Sequence, residues 1–472
     1  MSTPDSAATA PRTVSLYSAH RKIYPRAVAG RFATRRWVLV WLTQLVFYGL
    51  PWLAWNGRQA VLFDLEARRF YVFGLVLYPQ DFVYLTALLL LSAYALFFFT
   101  AVAGRLWCGY ACPQTVYTEI FMWVERRIEG DRARRMKLDA APWSAAKLLR
   151  KGGKQAAWIA IALVTGFTFV GYLTPVRELA AAVAGLQTSA WETFWIGFYG
   201  FATWGNAGFM REQVCKYMCP YARFHSAMLD KDTLIITYDR QRGEPRALRT
   251  RNADPALGAC VDCGLCVQAC PTGIDIRNGL QYECIGCAAC IDACDTMMTK
   301  LRQPTGLVRY DTQNGIARHL GSAERLRRVL RPRIVVYCGV LLAIVAAVGL
   351  SLAQRAPLRA DVVRDRASLA RVVDDVWVEN VYRLQVMNTT ERAQRYAVSA
   401  SGLPGVALAQ PVVLELAPAG ARWVTVALRL SPAAAQAAGP GAHALHLDVQ
   451  RLAGPDDEAY TLREKTTFMV PR

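Results

Sequence analysis

Five stretches of the chain carry no charged side chain over lengths that can cross roughly 30 Å of hydrocarbon. They are residues 37–55, 82–104, 155–174, 193–210 and 334–353. The pattern predicts five transmembrane helices, with the weakest signal in the fourth, which is glycine-rich and has Glu192 at its edge. The first begins 36 residues in, exceeds the apolar core of a signal peptide and ends without an A-x-A site, so it reads as an anchor. From residue 354 onward the period changes. Short alternating segments at 382–388, 396–401, 423–430, 443–451 and 466–470 are separated by turn formers such as Pro404-Gly405 and Gly439-Pro440-Gly441. That alternation predicts an all-β sandwich over 354–472.

Charge changes the picture by its placement. The net charge of +19 would suit a nucleic-acid binder, yet seven Lys/Arg precede Trp37, eleven lie in 105–154 and nineteen in 211–333, against three in 56–81 and one in 175–192. By the positive-inside rule the N-terminus and both long basic segments are cytoplasmic, and five crossings leave the C-terminal domain outside. The basic runs 126–127, 132–137 and 325–333 then hold topology against anionic lipid, and no nucleic-acid partner is expected. The expected organisation is a basic cytoplasmic tail (1–36), four transmembrane helices (37–220), an inserted cytoplasmic domain (221–333), a fifth transmembrane helix (334–353) and the external β domain (354–472).

The inserted domain carries the clearest chemistry. Cys260, Cys263, Cys266 and Cys270 repeat as Cys284, Cys287, Cys290 and Cys294, each offset by 24. C-x2-C-x2-C-x3-C twice over is the spacing of a two-cluster ferredoxin, in which three thiolates on one loop cap a cubane and the fourth turns to the other cluster. One [4Fe-4S] cluster is therefore expected on Cys260, Cys263, Cys266 and Cys294, the other on Cys284, Cys287, Cys290 and Cys270. Structural zinc is the alternative for thiolate pairs, but four regularly spaced thiolates in duplicate suit cubanes better. The first run closes on Pro271 and the second on Asp295, which removes no ligand.

A second constellation is C-x3-C-P, present as Cys108, Cys112 and Pro113 and again, offset by 107, as Cys215, Cys219 and Pro220. Each follows a predicted span that ends on the cytoplasmic side. Proline suits the first position of a helix, which places Cys112 and Cys219 at helix N-termini, and nearby Arg105, Arg211 and Lys216 are expected to favour thiolate. Four thiolates form a soft site that selects Cu(I). They can also supply electrons by forming disulfides or bind a further metal centre, and packing of small buried cysteines is the structural alternative. Cys338, alone inside the fifth span, reads as packing, and His225 as a hydrogen-bonded loop histidine in preference to an auxiliary ligand. All five histidines lie outside the predicted spans, so no bis-histidine haem wires the bilayer and electron chemistry stays on the cytoplasmic side.

With its five predicted spans, the paired C-x3-C-P motifs within Leu106-Trp107-Cys108-Gly109-Tyr110-Ala111-Cys112-Pro113-Gln114 and Cys215 to Pro220, the duplicated ferredoxin run and the external β domain, the chain resembles the FixG/CcoG/RdxA family of cytochrome c oxidase accessory proteins. The resemblance implies a bacterial inner-membrane protein with a periplasmic immunoglobulin-like domain. It implies two [4Fe-4S] clusters on the eight ferredoxin cysteines, and Cys108, Cys112, Cys215 and Cys219 as the candidate site for copper. The implied activity is reduction of Cu(II) to Cu(I) for assembly of the cbb(3)-type oxidase, with that assembly machinery or a copper carrier as partner and an unidentified cytoplasmic electron donor. Two other readings stand beside it: a quinol-linked membrane polyferredoxin feeding another reductase, and a non-catalytic assembly scaffold or copper carrier.

Overall fold

A computed structural model describes residues 22–248, 256–365, 370–374, 376–452 and 459–471. Most of the expected basic tail, residues 1–21 with His20, lies outside them. The chain divides into two compact units. One takes its described residues from Met1–Thr43, Phe99–Ala162 and Phe201–Ile334, the other from Gln44–Phe98, Leu163–Gly200 and Val335–Arg472.

Among the described residues three helices are long and apolar enough to cross a membrane: Pro79–Ala103, Ala145–Val170 and Pro332–Ala353. These match the second, third and fifth predicted spans, and the other two differ from expectation for local reasons. The helix Arg31–Gly49 begins on Arg31, Arg35 and Arg36, and Pro51 ends it in a 3-10 turn, Leu50–Trp52, followed by the strand Ala54–Trp55. The first predicted span therefore stops six residues early. In the fourth, the α-helix Ala190–Thr203 gives way to a π-helix, Trp204–Met210, through the glycine-rich stretch.

In the second unit the β domain is a sandwich of two antiparallel sheets. One orders Val406–Leu408, Ala421–Leu430, Trp377–Asn388 and Leu358–Arg364, with Arg371–Val373 also on Trp377–Asn388. The other orders Val412–Leu416, Gln394–Ser401, Gly441–Arg451 and Tyr460–Val470. All five alternating segments lie on strands. Side chains two apart share a face, so Tyr382, Leu384 and Val386 meet Val426, Leu428, Leu430, Leu445, Leu447, Val449 and Phe468 in a dry core. Residues 56–81, read from sequence only as a connecting loop, contain a three-stranded sheet, Val61–Asp64, Arg69–Val72 and Leu75–Leu77. Its Leu62, Tyr71 and Val76 pack with Tyr78, Met387 and Ala419. Asp81, fully buried, is paired with Arg355 and Arg359, each at 2.6 Å.

In the first unit the antiparallel pair Ile235–Tyr238 and Val308–Asp311 packs with the helices Leu265–Ala269 and Ala289–Lys300. Ile236, Tyr238, Ile276, Ile291, Met298 and Leu307 form the core of this small domain around Cys266. The duplication is written into the backbone. Asp262 and Gly286, 24 apart, have φ of 50° and 70°, and Gly264 and Ala288, also 24 apart, have φ of 65° and 61°. Asp262 and Ala288 hold a conformation that L-residues rarely adopt, which keeps both cysteine loops tightly curled.

Candidate functional site

The two C-x3-C-P motifs have the same entrance and exit but different interiors. Gly104 and Arg211, 107 apart, both have positive φ, 56° and 42°. Cys112 and Cys219 are both extended N-cap residues, with Pro113 and Pro220 at the first position of the helices Pro113–Glu129 and Pro220–Met228. This is the placement the sequence predicts. Between these points Cys108 lies on a short α-helix, Leu106–Tyr110, whereas Cys215 lies on a π-helical turn, Val214–Met218. That turn closes by the Cys219 amide donating to the Val214 carbonyl, five residues back, at 2.8 Å. π-turns are rare and cluster at functional sites. Gln114 joins the motifs, since its Nε2 donates to the carbonyls of Asn206 (2.9 Å) and Arg211 (3.1 Å).

The ferredoxin cysteines surround two small cavities. Cys260, Cys263, Cys266 and Cys294 line one, walled by Tyr238, Met298 and Leu307. Cys270, Cys284, Cys287 and Cys290 line the other together with Cys266, against Ile236, Ile276 and Ile285. Each cavity thus has at least four thiols in an apolar shell, with Cys266 on the wall of both, a donor set that suits an iron-sulfur cubane. Among the described residues no three His, Cys, Asp or Glu side chains converge as the ligands of a single metal ion would.

The first C-x3-C-P motif sits directly on the second cysteine loop. A methyl group on Gly109 would lie 2.8 Å from the backbone of Gly286 and Cys287, so only glycine permits the approach. Cys108 and Cys215 pack with Cys287, Ile285 and Ala289 in one cluster. Arg105 clamps the contact. Its Nε donates to Nδ1 of His225 at 3.0 Å, one terminal nitrogen to the carbonyl of Ala222 at 2.8 Å, and the other to the carbonyls of Tyr282 and of Cys284, the latter at 3.3 Å. Tyr310 hydroxyl donates to the Gly286 carbonyl at 2.5 Å and lies 3.3 Å from that of Tyr110. On the ferredoxin helix Ala289–Lys300, Asp292 accepts the backbone N–H groups of Phe32 (3.2 Å) and Ala33 (2.7 Å). It thereby caps the N-terminus of the helix Arg31–Gly49 from 260 residues away.

The electrostatics reverse one expectation. Burial pushes the Cys108 thiol up to about 12 and the Cys215 thiol up to about 11, and it raises Cys112 as well. The neighbouring thiols add to the rise, and Arg105 offsets it only in part at Cys108 and Cys215. The Cys108, Cys112 and Cys215 thiols are therefore protonated when free, because removing the charged form from water outweighs one nearby guanidinium. Arg211 is committed elsewhere, to the buried Glu125 at 3.0 Å, which Arg135 also meets at 2.8 Å. His225 is a buried, hydrogen-bonded side chain on the helix Pro220–Met228, not a loop residue. Burial and the Arg105 charge push it down to about 4, leaving the ring neutral near pH 7.

Several positioning residues escape a reading of the motifs. Gly109, Arg105 and Asp292 align with Lys216, Glu212 and Gln268 in the duplicated segments. The signal lies in those mismatches, since a residue that departs from its repeat partner serves a contact made only once. Tyr310 leaves no such trace.

Three families match the chain: a 4Fe-4S dicluster domain over residues 210–313, a 4Fe-4S binding domain over 85–130, and the IG-like fold at the C-terminal of FixG over 348–471. The nitrogen fixation protein FixG of Rhizobium meliloti is 38% identical over 83% of this chain and 82% of its own length. Proteins RdxA and RdxB of Cereibacter sphaeroides are each 35% identical, over 83% and 86% of this chain and 84% and 87% of their own. Identity at this level over more than four fifths of the chain makes it a member of the FixG family, a membrane protein with a 4Fe-4S dicluster domain and a C-terminal Ig-like domain.

Proposed function

We propose that the protein is a membrane iron-sulfur oxidoreductase that passes electrons from two [4Fe-4S] clusters to Cu(II), releasing Cu(I) for assembly of a cbb(3)-type cytochrome c oxidase. The clusters are held by Cys260, Cys263, Cys266 and Cys294 and by Cys284, Cys287, Cys290 and Cys270, and they supply one-electron reducing equivalents. Copper is the substrate, met by Cys108, Cys112, Cys215 and Cys219. The observation that carries this reading is the backbone contact of Gly109 with Gly286 and Cys287, which leaves no intervening layer between the two cysteine sets. High thiol pKa values do not prevent capture, because soft metals displace the proton on binding, and thiolate ligation favours Cu(I) over Cu(II). In the proposed topology the chain crosses the inner membrane five times. The helices Arg31–Gly49 and Ala190–Thr203 with its π-helical continuation complete the set, residues 221–333 face the cytoplasm, and the Ig-like domain faces the periplasm, as the distribution of Lys and Arg directs. The test is cupric reduction by the full-length protein after anaerobic reduction with dithionite. Unchanged activity on replacing all four C-x3-C-P cysteines by serine would sink the role given to them.

One observation favours a second reading of these thiols. The match to a 4Fe-4S binding domain over residues 85–130 contains Cys108 and Cys112, which suits a further iron-sulfur centre at the same place. Iron analysis separates the two: iron beyond that of two cubanes, lost in the four-serine variant, selects the further centre, and copper lost with iron unchanged selects the copper site.

A further inference from the structure

The duplicated cysteine run departs from symmetry just after its last cysteine. Cys270 is followed by Pro271 and Thr272, Cys294 by Asp295 and Thr296. The two threonines are equivalent in the repeat, yet they are used differently. Thr272 is 4% exposed, with its hydroxyl 3.3 Å from Cys270 Sγ, and toward a metal-bound thiolate only the hydroxyl can donate. Thr296 instead donates to the Asp292 carbonyl at 2.8 Å. Asp295 sets a carboxylate beside Cys294, where Pro271 brings no charge to Cys270.

Fixed charge divides the two cysteine sets in the same way. Arg36 is 7% exposed and stands on the wall of a cavity that also contains Cys287 and Ile285. Its Nε has no hydrogen-bond partner among the described residues. Burial raises the Cys287 thiol, and the Arg36 charge is the largest influence opposing it, ahead of the contrary effect of Glu119 on the same wall. The other set has Arg277 near Cys266, but that guanidinium is spent. Its Nε and one terminal nitrogen meet Asp275 at 2.8 and 2.7 Å, and the other terminal nitrogen meets Asp262. The Tyr238 hydroxyl, beside Cys260, gives its proton to Glu244 at 3.2 Å. One set thus faces a buried cation and a hydroxyl donor, and the other faces carboxylates.

Reduction adds negative charge to a cubane, so a nearby cation and hydrogen bonds to its sulfurs ease reduction, while burial opposes it. We infer that Arg36 and Thr272 are redox-positioning residues. They raise the reduction potential of the cluster on Cys270, Cys284, Cys287 and Cys290 above that of the other cluster, against the burial of its ligands. The consequence is direction. One electron leaves the cluster on Cys260, Cys263, Cys266 and Cys294, which is oxidised, and enters the other, which is reduced, with no bond broken and no proton moved. It comes to rest behind the loop of Gly286 and Cys287 that Gly109 of the first C-x3-C-P motif approaches. The inference rests on the eight cysteines holding two cubanes, and not on the identity of the acceptor beyond them.

The test is a potentiometric titration of the full-length protein followed by EPR, with iron and sulfide content measured alongside. Two one-electron waves are expected. Arg36→Gln and Thr272→Val should each lower the upper wave alone, Arg36→Gln by about tenfold in the equilibrium constant, or roughly 59 mV for one electron. Arg36→Lys keeps the charge and should restore most of that shift, which a purely spatial role for the side chain would not allow. Asp295→Asn retains the oxygen that accepts from the Gly306 N–H and should raise the lower wave alone, which assigns the two waves. The inference is overturned if Asp295→Asn moves the upper wave, or if neither Arg36→Gln nor Thr272→Val moves any wave while both cubanes are present. Protein that holds no reducible cubane overturns the ligand assignment, and the inference with it. Two reducible cubanes with unmoved potentials overturn the inference alone.

Discussion

Gly109→Ala probes the contact on which the proposed electron delivery to the thiols depends. The added methyl carbon would sit 2.8 Å from Cys287 N, Cys287 Cα and Gly286 C. All three are backbone atoms of a loop that Arg105 holds through the Tyr282 and Cys284 carbonyls, so no side-chain rotation relieves the clash. Carbon atoms rest roughly 3.5 Å apart or more, so the motif has to withdraw by about 0.7 Å. Overpacking of this kind costs about 1–3 kcal/mol, and at roughly 2–4 °C per kcal/mol for a unit of this size it lowers the apparent Tm measurably. The assay is differential scanning fluorimetry with stopped-flow oxidation of pre-reduced clusters by Cu(II). Lys216→Ala, at the equivalent place in the second motif, serves as control. The expected result is an intact iron-sulfur spectrum, a lower Tm and slower oxidation for Gly109→Ala alone. Wild-type Tm and rate in Gly109→Ala would show that the two backbones are not in contact in solution and would refute the reasoning.

Three further outcomes follow from neighbouring features. Asp292→Ala leaves the Phe32 and Ala33 amides without their acceptor and should cost about 0.5–2 kcal/mol, seen as faster proteolysis near residue 30; cleavage at the wild-type rate would count against the cap. Burial alone would raise the Glu125 carboxyl, but Arg211, Arg135 and Lys154 outweigh it and hold the group below its ordinary 4.5. Its stabilisation is therefore present above pH 4.5 and lost as pH falls through the depressed value. Glu125→Gln, which strands buried cations, should cost about 3–5 kcal/mol at pH 7 and flatten the acid limb of the stability profile; an acid limb as steep as that of the wild type contradicts the network. Removing iron by chelation under oxidising conditions should expose the core of Ile236, Ile276, Ile291 and Met298 that packs around Cys266, because cluster binding and folding are coupled. Hydrogen exchange across 260–294 reads this, and unchanged protection would mean that the fold is independent of the clusters.

The strands of the C-terminal domain were legible because each has one face on a dry core, which imposes a strict period of two on Tyr382, Leu384 and Val386. The strands between residues 54 and 77 were not, since segments of two to four residues are too short to display a period. Counting charge-free length overstated the first and fourth spans, because it is blind to Pro51 as a terminator and to the π-helical path of 204–210. The error at the C-x3-C-P thiols has a similar origin. Sequence supplies Arg105 as a neighbour of Cys108, but not the burial that outweighs its charge or the carbonyls and imidazole that occupy its donors. Those partners lie more than 115 residues away, beyond the reach of any local pattern.

The Asp292 cap also sets an order of events during synthesis. The helix Arg31–Gly49 leaves the ribosome about 260 residues before its capping carboxylate exists, a delay of roughly 13–50 s at about 5–20 residues per second. Until the helix Ala289–Lys300 has folded, two amides in its first turn lack their acceptor. The first turn of the helix Arg31–Gly49 is thus completed only after the ferredoxin helix that caps it, and a chain whose ferredoxin domain fails to fold leaves that distant turn uncapped.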